Sequence, residues 1–161
     1  QSIILAIGTG FKDDFNIDNR LYDKIVIMAD ADDDGCHICS LLIAFFYRYM
    51  KDLVVGGHIY LATPPLFKVD VSGKKHYCFD EKELNDVLSK SGGKGRATRF
   101  KGLGEMNAEE LGETTMDKST RRLIQLKVGD FGESERLLST LMGSNAQLRK
   151  DHIVNHVNTI V

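Results

Sequence analysis

The chain has no tryptophan, only three cysteines and two prolines, and no apolar run long enough to cross a bilayer. The best candidate for such a run, Leu41 to Met50, is interrupted by Tyr47, Arg48 and Tyr49. No secretory leader is visible; Gln1 followed at once by Ser2-Ile3-Ile4-Leu5-Ala6-Ile7 reads as a piece of something longer. Cys36, Cys39 and Cys78 are an odd number without a pairing framework. They exclude a disulfide-stapled scaffold and point to a reducing, cytoplasmic setting. There is no internal repeat.

The 161 residues suffice for one domain, or one domain with a helical appendage, with a real core. Their most informative feature is Asp30-Ala31-Asp32-Asp33-Asp34-Gly35, directly behind the apolar run Ile25-Val26-Ile27-Met28. Four carboxylates crowded at the carboxyl end of a strand repel one another, and a hard divalent cation relieves that repulsion. The net charge of −2 hides an uneven distribution, acidic up to Asp34 and basic later, through Lys90, Lys94, Arg96, Arg99, Lys101, Arg121, Arg122 and Lys127. A charge run alone is usually a solvated loop. A basic strip facing an acidic metal site is what a phosphodiester wants.

The pattern of elements is that of an α/β chain. Ser2 to Gly10 reads as a short apolar helix or turn closing at Gly8-Thr9-Gly10, and Lys12 to Asn19 as polar loop. Ile25 to Ala29 is continuously apolar, which predicts a strand buried on both faces as in a parallel sheet. After Gly35, residues Ile38, Leu41, Leu42, Phe45, Phe46 and Tyr49 recur at helical spacing, ending before Gly56-Gly57. His58 to Ala62 is a second strand, and the Asp cluster lies at the carboxyl end of the first, where open α/β sheets place ligands. Ser72-Gly73-Lys74 joins strands Leu66–Val71 and His76–Phe79 as a hairpin. Asp80 caps a helix from Glu81 to Leu88; Ala97–Phe100 is a short strand. Asn107 with Glu110 makes a capping pair for a helix from Ala108 to Thr115. Leu123 to Val128 alternates as a half-buried strand, and Phe131–Met142 and Ala146–Val157 are closing helices.

Several motifs compete for a function. Asp30, Asp32, Asp34 and Gly35 match the first half of an EF-hand calcium loop, but its twelfth position is Leu41 instead of Glu and a strand precedes it. Helix capping explains one Asp of the cluster and not four. Cys36-His37-Ile38-Cys39 has redox spacing, yet neighbouring carboxylates push a thiol the wrong way and no second pair completes a zinc site. His37 abuts the cluster, where it serves either a phosphate or the helix start. Arg99-Phe100-Lys101-Gly102-Leu103-Gly104-Glu105 couples cations to a glycine turn that lets backbone approach a ligand, without Walker A spacing. The tyrosines read as packing.

Ile27 to Ile38, Pro64-Pro65-Leu66-Phe67-Lys68, Arg99 to Asn107, Glu113-Thr114-Thr115-Met116-Asp117 and Leu141-Met142-Gly143 together resemble the B subunit of bacterial type IIA DNA topoisomerases, over essentially the whole chain. The Arg-Phe-Lys-Gly-Leu-Gly form, and the short run from Tyr77 to Arg99, resemble topoisomerase IV more than gyrase. The resemblance implies a Toprim-type, Rossmann-like sheet with flanking helices over residues 1–107, including a linker at 89–96, and a small helical C-terminal tail over 108–161. It implies Mg²⁺ held by Asp30, Asp32 and Asp34, with Asp30 and Asp32 as the catalytic Asp-x-Asp pair and no role for Asp33. Lys101, Arg99 and His37 would bind DNA. The partner is an A subunit, in an A2B2 heterotetramer, whose tyrosine attacks a phosphodiester. ATP would bind only in a domain upstream of this chain.

Two departures stand out. Cys39 replaces an arginine common in relatives, which removes one DNA contact. The Glu-Gly-Asp-Ser segment that supplies the family's catalytic glutamate would precede Gln1. The chain alone is therefore expected to fold at least partly, bind Mg²⁺ weakly and cleave no DNA. Two other classes stay open: a docking module for DNA and partner with a structural Asp cluster, and an Asp-x-Asp phosphotransferase, which lacks the expected Thr and downstream Lys.

Overall fold

Glycines after apolar runs, and acidic residues ahead of helices, punctuate the computed structural model, which describes residues 1–156. In chain order its elements are α1 (Ser2–Ile7), β1 (Ile25–Ile27), α2 (Asp33–Tyr49), α3 (Lys51–Val55), β2 (Ile59–Ala62), β3 (Phe67–Val71), β4 (Lys74–Cys78), α4 (Glu81–Lys90), β5 (Arg96–Arg99), α5 (Ala108–Leu111), β6 (Leu123–Gln125), α6 (Phe131–Met142) and α7 (Ala146–His156). The chain packs as two units. One is built from Tyr22–Ser40 and His58–Gln125, the other from Gln1–Leu21, Leu41–Gly57 and the residues from Leu126 on.

The first unit holds two three-stranded sheets, in the orders β1-β2-β6 and β4-β3-β5. In the first sheet β1 and β2 are parallel, with Ile25 opposite Ile59 and Ile27 opposite Leu61, and α2 begins in the crossover between them. That strand, helix, strand order puts the Asp cluster at the carboxyl end of β1, as expected. β6 then pairs antiparallel with β2, Leu61 facing Ile124. The second sheet is antiparallel throughout. Its hairpin turns at Ser72 and Gly73, both at positive φ (53° and 80°), the left-handed pair that a tight hairpin requires.

The β3–β4 hairpin has two distinct faces. Phe67, Val69 and Cys78 are buried and pack with Leu84, Val87 and Leu88 of α4. Each such aliphatic side chain contributes about 1.5–3 kcal/mol by leaving water. Asp80 caps α4 as expected, its Oδ1 accepting the Glu83 N–H at 2.7 Å. The opposite face carries Lys68, Lys75 and Tyr77, which reach the acidic side of α5 and of the turn that follows it.

Several expectations need correction. The first strand spans only Ile25–Ile27 and is not buried on both faces, since Val26 and Met28 remain 37% and 41% exposed while Ile27 is buried. β1 is an edge strand of a small sheet, where in-and-out alternation returns. The helix α2 starts at Asp33, inside the acidic cluster, because Asp33 and Asp34 in its first turn suit the positive end of the helix dipole. The helix from Ala108 is regular only to Leu111 and widens into a π turn over Gly112–Met116, where the Thr114 and Thr115 hydroxyls donate back to the carbonyls of Glu110 and Leu111. The strand from Leu123 is likewise shorter, ending at Gln125. The last expected helix lies within the described residues as far as His156; Val157 lies outside them.

In the second unit α1 ends at Gly8, whose φ of 85° closes the helix as its N–H reaches the Ile4 carbonyl. Phe46, Tyr47, Met50, Leu53 and Val54 are buried at the end of α2 and in α3, and the Tyr47 hydroxyl donates to the Phe131 carbonyl at 3.1 Å. No helix among the described residues is long and apolar enough to cross a membrane.

Candidate functional site

The acidic turn is fixed from within. Asp32 accepts the Gly35 N–H on Oδ1 at 2.7 Å while its carbonyl accepts the Cys36 N–H at 2.9 Å, so Asp32 is the N-cap of α2. One carboxylate of the four is therefore the helix cap. Gly35 is buried against the backbone of Asp30: a Cβ there would stand 2.0 Å from the Asp30 carbonyl oxygen, a contact no side chain survives. The turn thus closes tightly enough that only glycine fits.

Asp30 is tied to a segment 73 residues away. Its Oδ1 accepts the Leu103 N–H at 2.7 Å, and a Cβ on Gly102 would lie 2.9–3.0 Å from its carboxylate atoms. The glycine-rich segment Lys101-Gly102-Leu103-Gly104-Glu105 thus meets the acidic strand end through Gly102 and Leu103, and Lys101 is exposed. The same segment closes on itself, the Lys101 N–H donating to Glu105 Oε2 at 2.8 Å and the Met106 N–H to the Leu103 carbonyl at 3.1 Å. Ala31, Pro64, Pro65, Phe100, Gly102, Leu103 and Met106 line a small pocket beneath it.

The expected site residues are thus partly assembled. Asp30, Asp32 and Asp34 share one turn, are exposed, and pair with no cation among the described residues. Asp30 and Asp32 each use one oxygen on a backbone N–H; Asp34 has no such partner among the described residues. Among the described residues no three His, Cys, Asp or Glu side chains are grouped to hold a metal ion. The donor chemistry still fits Mg²⁺, which takes hard oxygens and is commonly held by one or two protein carboxylates plus water and substrate phosphates. His37 lies exposed in the early part of α2. Arg99 is exposed at the end of β5, its guanidinium 6.0 Å from the centre of the Phe67 ring.

Arg122 is turned onto Phe79, 3.7 Å from the ring centre, and pairs with Glu83 at 2.7 Å. The Phe79 N–H and then Arg122 hold the Glu83 carboxyl below its usual range. Lys127 belongs to the other unit. Of the Cys-x-x-Cys pair, burial, and secondarily Cys36, pushes the Cys39 thiol up, opposite to what a redox nucleophile needs.

One polar cluster was not visible in the sequence. Glu110 is 3% exposed and its Oε1 takes the Lys68 ammonium at 2.6 Å; Oε2 accepts the Asn107 N–H, completing the capping box with the Glu110 N–H on Asn107 Oδ1. Lys68 first, and then the Asn107 N–H against the opposing burial, holds the Glu110 carboxyl below the ordinary glutamate range. The capping box was legible; the lysine 42 residues away was not.

A family profile described as the carboxyl terminus of the DNA gyrase B subunit matches residues 92–154. The chain is 49% identical to the B subunit of DNA topoisomerase 4 from Mycoplasma pneumoniae over 158 residues, 98% of this chain and 25% of that protein. Identity to the corresponding B subunit from Bacillus subtilis is also 49%, over 161 residues, again 98% of this chain and 25% of the relative. The DNA gyrase B subunit from Archaeoglobus fulgidus is 44% identical over 156 residues, 97% of this chain and 24% of the relative. The chain spans about a quarter of the length of the curated relatives it matches.

Proposed function

Because the chain belongs to the B-subunit family of DNA gyrase and DNA topoisomerase 4, we propose that it is the Toprim-type, Mg²⁺-binding part of such a protein. In the whole enzyme it would support double-strand DNA cleavage and religation by a tyrosine of the A subunit. The observation that carries this reading is the Leu103 N–H on Asp30 Oδ1, which joins the basic glycine loop to the acidic strand end. Topoisomerase IV is favoured over gyrase by the Arg99-Phe100-Lys101 form and by the 49% identity to two topoisomerase 4 relatives against 44% to the gyrase relative.

The chain's residues divide the work as follows. Asp30 and Asp32 would hold the ion through the carboxylate oxygens not taken by backbone N–H groups, with Asp34 as the third acidic group. When bound, Mg²⁺ supplies charge stabilisation for the departing DNA oxygen. Lys101, Arg99 and His37 neutralise neighbouring phosphates, a salt-dependent contribution carrying no sequence preference. ATP binds a domain outside this chain, and the assembly is an A2B2 heterotetramer working in the cytoplasm. By itself the chain binds Mg²⁺ weakly and leaves DNA uncut.

A second reading, a docking module whose Asp cluster is purely structural, is favoured by the helix cap at Asp32 and the loop contact at Asp30. Asparagine separates the two, because its side-chain oxygen still accepts both N–H bonds while losing the negative charge that a metal needs. D30N/D32N in the full-length protein, assembled with its A subunit, should abolish Mg²⁺-dependent cleavage while assembly and DNA binding persist. Undiminished cleavage would leave the docking reading standing.

A further inference from the structure

The loop that reaches Asp30 is anchored at both of its ends by one strand, β3 with the residue before it. At the entry, the Phe100 N–H donates to the Leu66 carbonyl at 2.8 Å and the Phe100 ring is buried. At the exit, Met106 is buried and Asn107 gives its N–H to Glu110 Oε2, while the other oxygen of Glu110 is held by Lys68 at 2.6 Å. The Lys68 ammonium also lies 5.7 Å from the centre of the Phe100 ring, so the same side chain touches both ends.

The register makes this a surface and not a single contact. Lys68 faces Tyr77 and Asp70 faces Lys75 across β3 and β4, so Lys68, Tyr77 and Lys75 share one side of the hairpin. They meet Glu110, Glu113 and Glu109 respectively, at 2.6, 2.8 and 4.0 Å. Burial first, and then the hydrogen bond to Glu113, pushes the Tyr77 hydroxyl well above its ordinary range, so it remains a donor at any working pH. Of the three pairs only Lys68–Glu110 combines a buried acceptor with a direct link to the loop.

We propose that Lys68 is a positioning residue: paired with Glu110 it fixes the exit of the loop 101–106, and through it the Leu103 amide against Asp30. The role of that contact in holding a metal ion rests on the function proposed above; the clamp itself does not. A buried ion pair costs desolvation and is a poor source of net stability, but it specifies one arrangement because neither partner tolerates leaving it. Groups that orient a ligating carboxylate in this way typically change metal affinity by about 10–100-fold when removed.

The test uses the full-length B subunit with Lys68→Met, Lys68→Arg and, as a control outside the loop linkage, Lys75→Met. Hydrogen exchange followed in peptides covering residues 101–107 should be at least about tenfold faster in Lys68→Met than in the parent, restored towards it in Lys68→Arg, and unchanged in Lys75→Met. In the assembled enzyme the Mg²⁺ concentration for half-maximal cleavage should rise about tenfold in Lys68→Met, with cleavage at saturating Mg²⁺ within about twofold of the parent. Parent-like exchange at 101–107 in a folded Lys68→Met protein overturns the clamp. If Lys68→Met itself fails to fold, the Lys68→Arg protein decides: parent-like exchange there supports the clamp, and loosening confined to β3 overturns it. Faster exchange with an unmoved Mg²⁺ midpoint upholds the clamp and counts against the metal role of Asp30 instead.

Discussion

Replacing Gly102 with alanine probes the join between loop and acidic turn without altering charge. Gly102 has φ −161° and ψ 172°, extended backbone that any residue adopts, so the substitution carries no conformational penalty. Its new Cβ would stand 2.9 Å from Asp30 Cγ and Oδ1 and 3.0 Å from Oδ2, too close for either to stay. The Asp30 carboxylate is the softer partner and swings away, breaking the bond from the Leu103 N–H. Hydrogen bonds to charged groups contribute about 1.5–3 kcal/mol, and exposed Asp30 recovers part of that from water, leaving a loss of about 1 kcal/mol. Gly104 is the control: nothing lies within 4 Å of a Cβ built there and its φ is not positive. Alanine at 104 should be neutral or stabilising by up to about 0.5 kcal/mol through the unfolded chain. That gain is common to both alanine variants, so in denaturant titrations at constant slope G102A should fall below G104A by about 1 kcal/mol, or about 2–4 °C in melting temperature for a chain of this size. Equal stabilities for the two variants would show that the loop does not rest on Asp30.

Two further outcomes follow from the same structure. Because the folded-state pKa of Glu110 is depressed, its contribution is present above the ordinary glutamate value near about 4.3 and is lost as pH falls through the folded value. K68M should accordingly cost about 2 kcal/mol at pH 7, less than a fully buried pair because the Lys68 side chain keeps 27% of its exposure, and clearly less at pH 3; an equal cost at both values would remove Glu110 as the cause. In thiol titration Cys36 should react first, Cys39 more slowly because burial raises its pKa, and Cys78 only on unfolding, since it is fully buried. Fast labelling of Cys78 in the native chain would contradict the hairpin core.

Local signals were legible where they were strong. The hairpin at Ser72-Gly73, the cap at Asp80 and the capping box of Asn107 with Glu110 all follow from residues within four positions of one another. The parallel pairing of β1 and β2, and the acidic turn at the end of β1, followed from the order of apolar runs. What could not be read was long-range. The periodicity of Ile25–Ala29 says nothing of how many strands will flank it, and the edge position of β1 leaves Val26 and Met28 half in solvent. Four clustered aspartates suggested one shared task, whereas the fold gives Asp32 to the helix cap and Asp30 to Leu103. Arg122 counted as one more cation in a basic stretch, yet Phe79 and Glu83 hold it. Nothing local to Lys68 pointed to a partner, and only the seating of α5 on the hairpin pairs it with the buried Glu110.

The proposal that Asp30 and Asp32 hold a divalent cation is decided by titrating the chain with Mn²⁺ and following its backbone amides by NMR. Paramagnetic broadening should appear first at residues 30–35 and at Gly102 and Leu103, be competed by excess Mg²⁺, and vanish in D30N/D32N. Broadening that begins elsewhere, or that survives the double substitution, would contradict it.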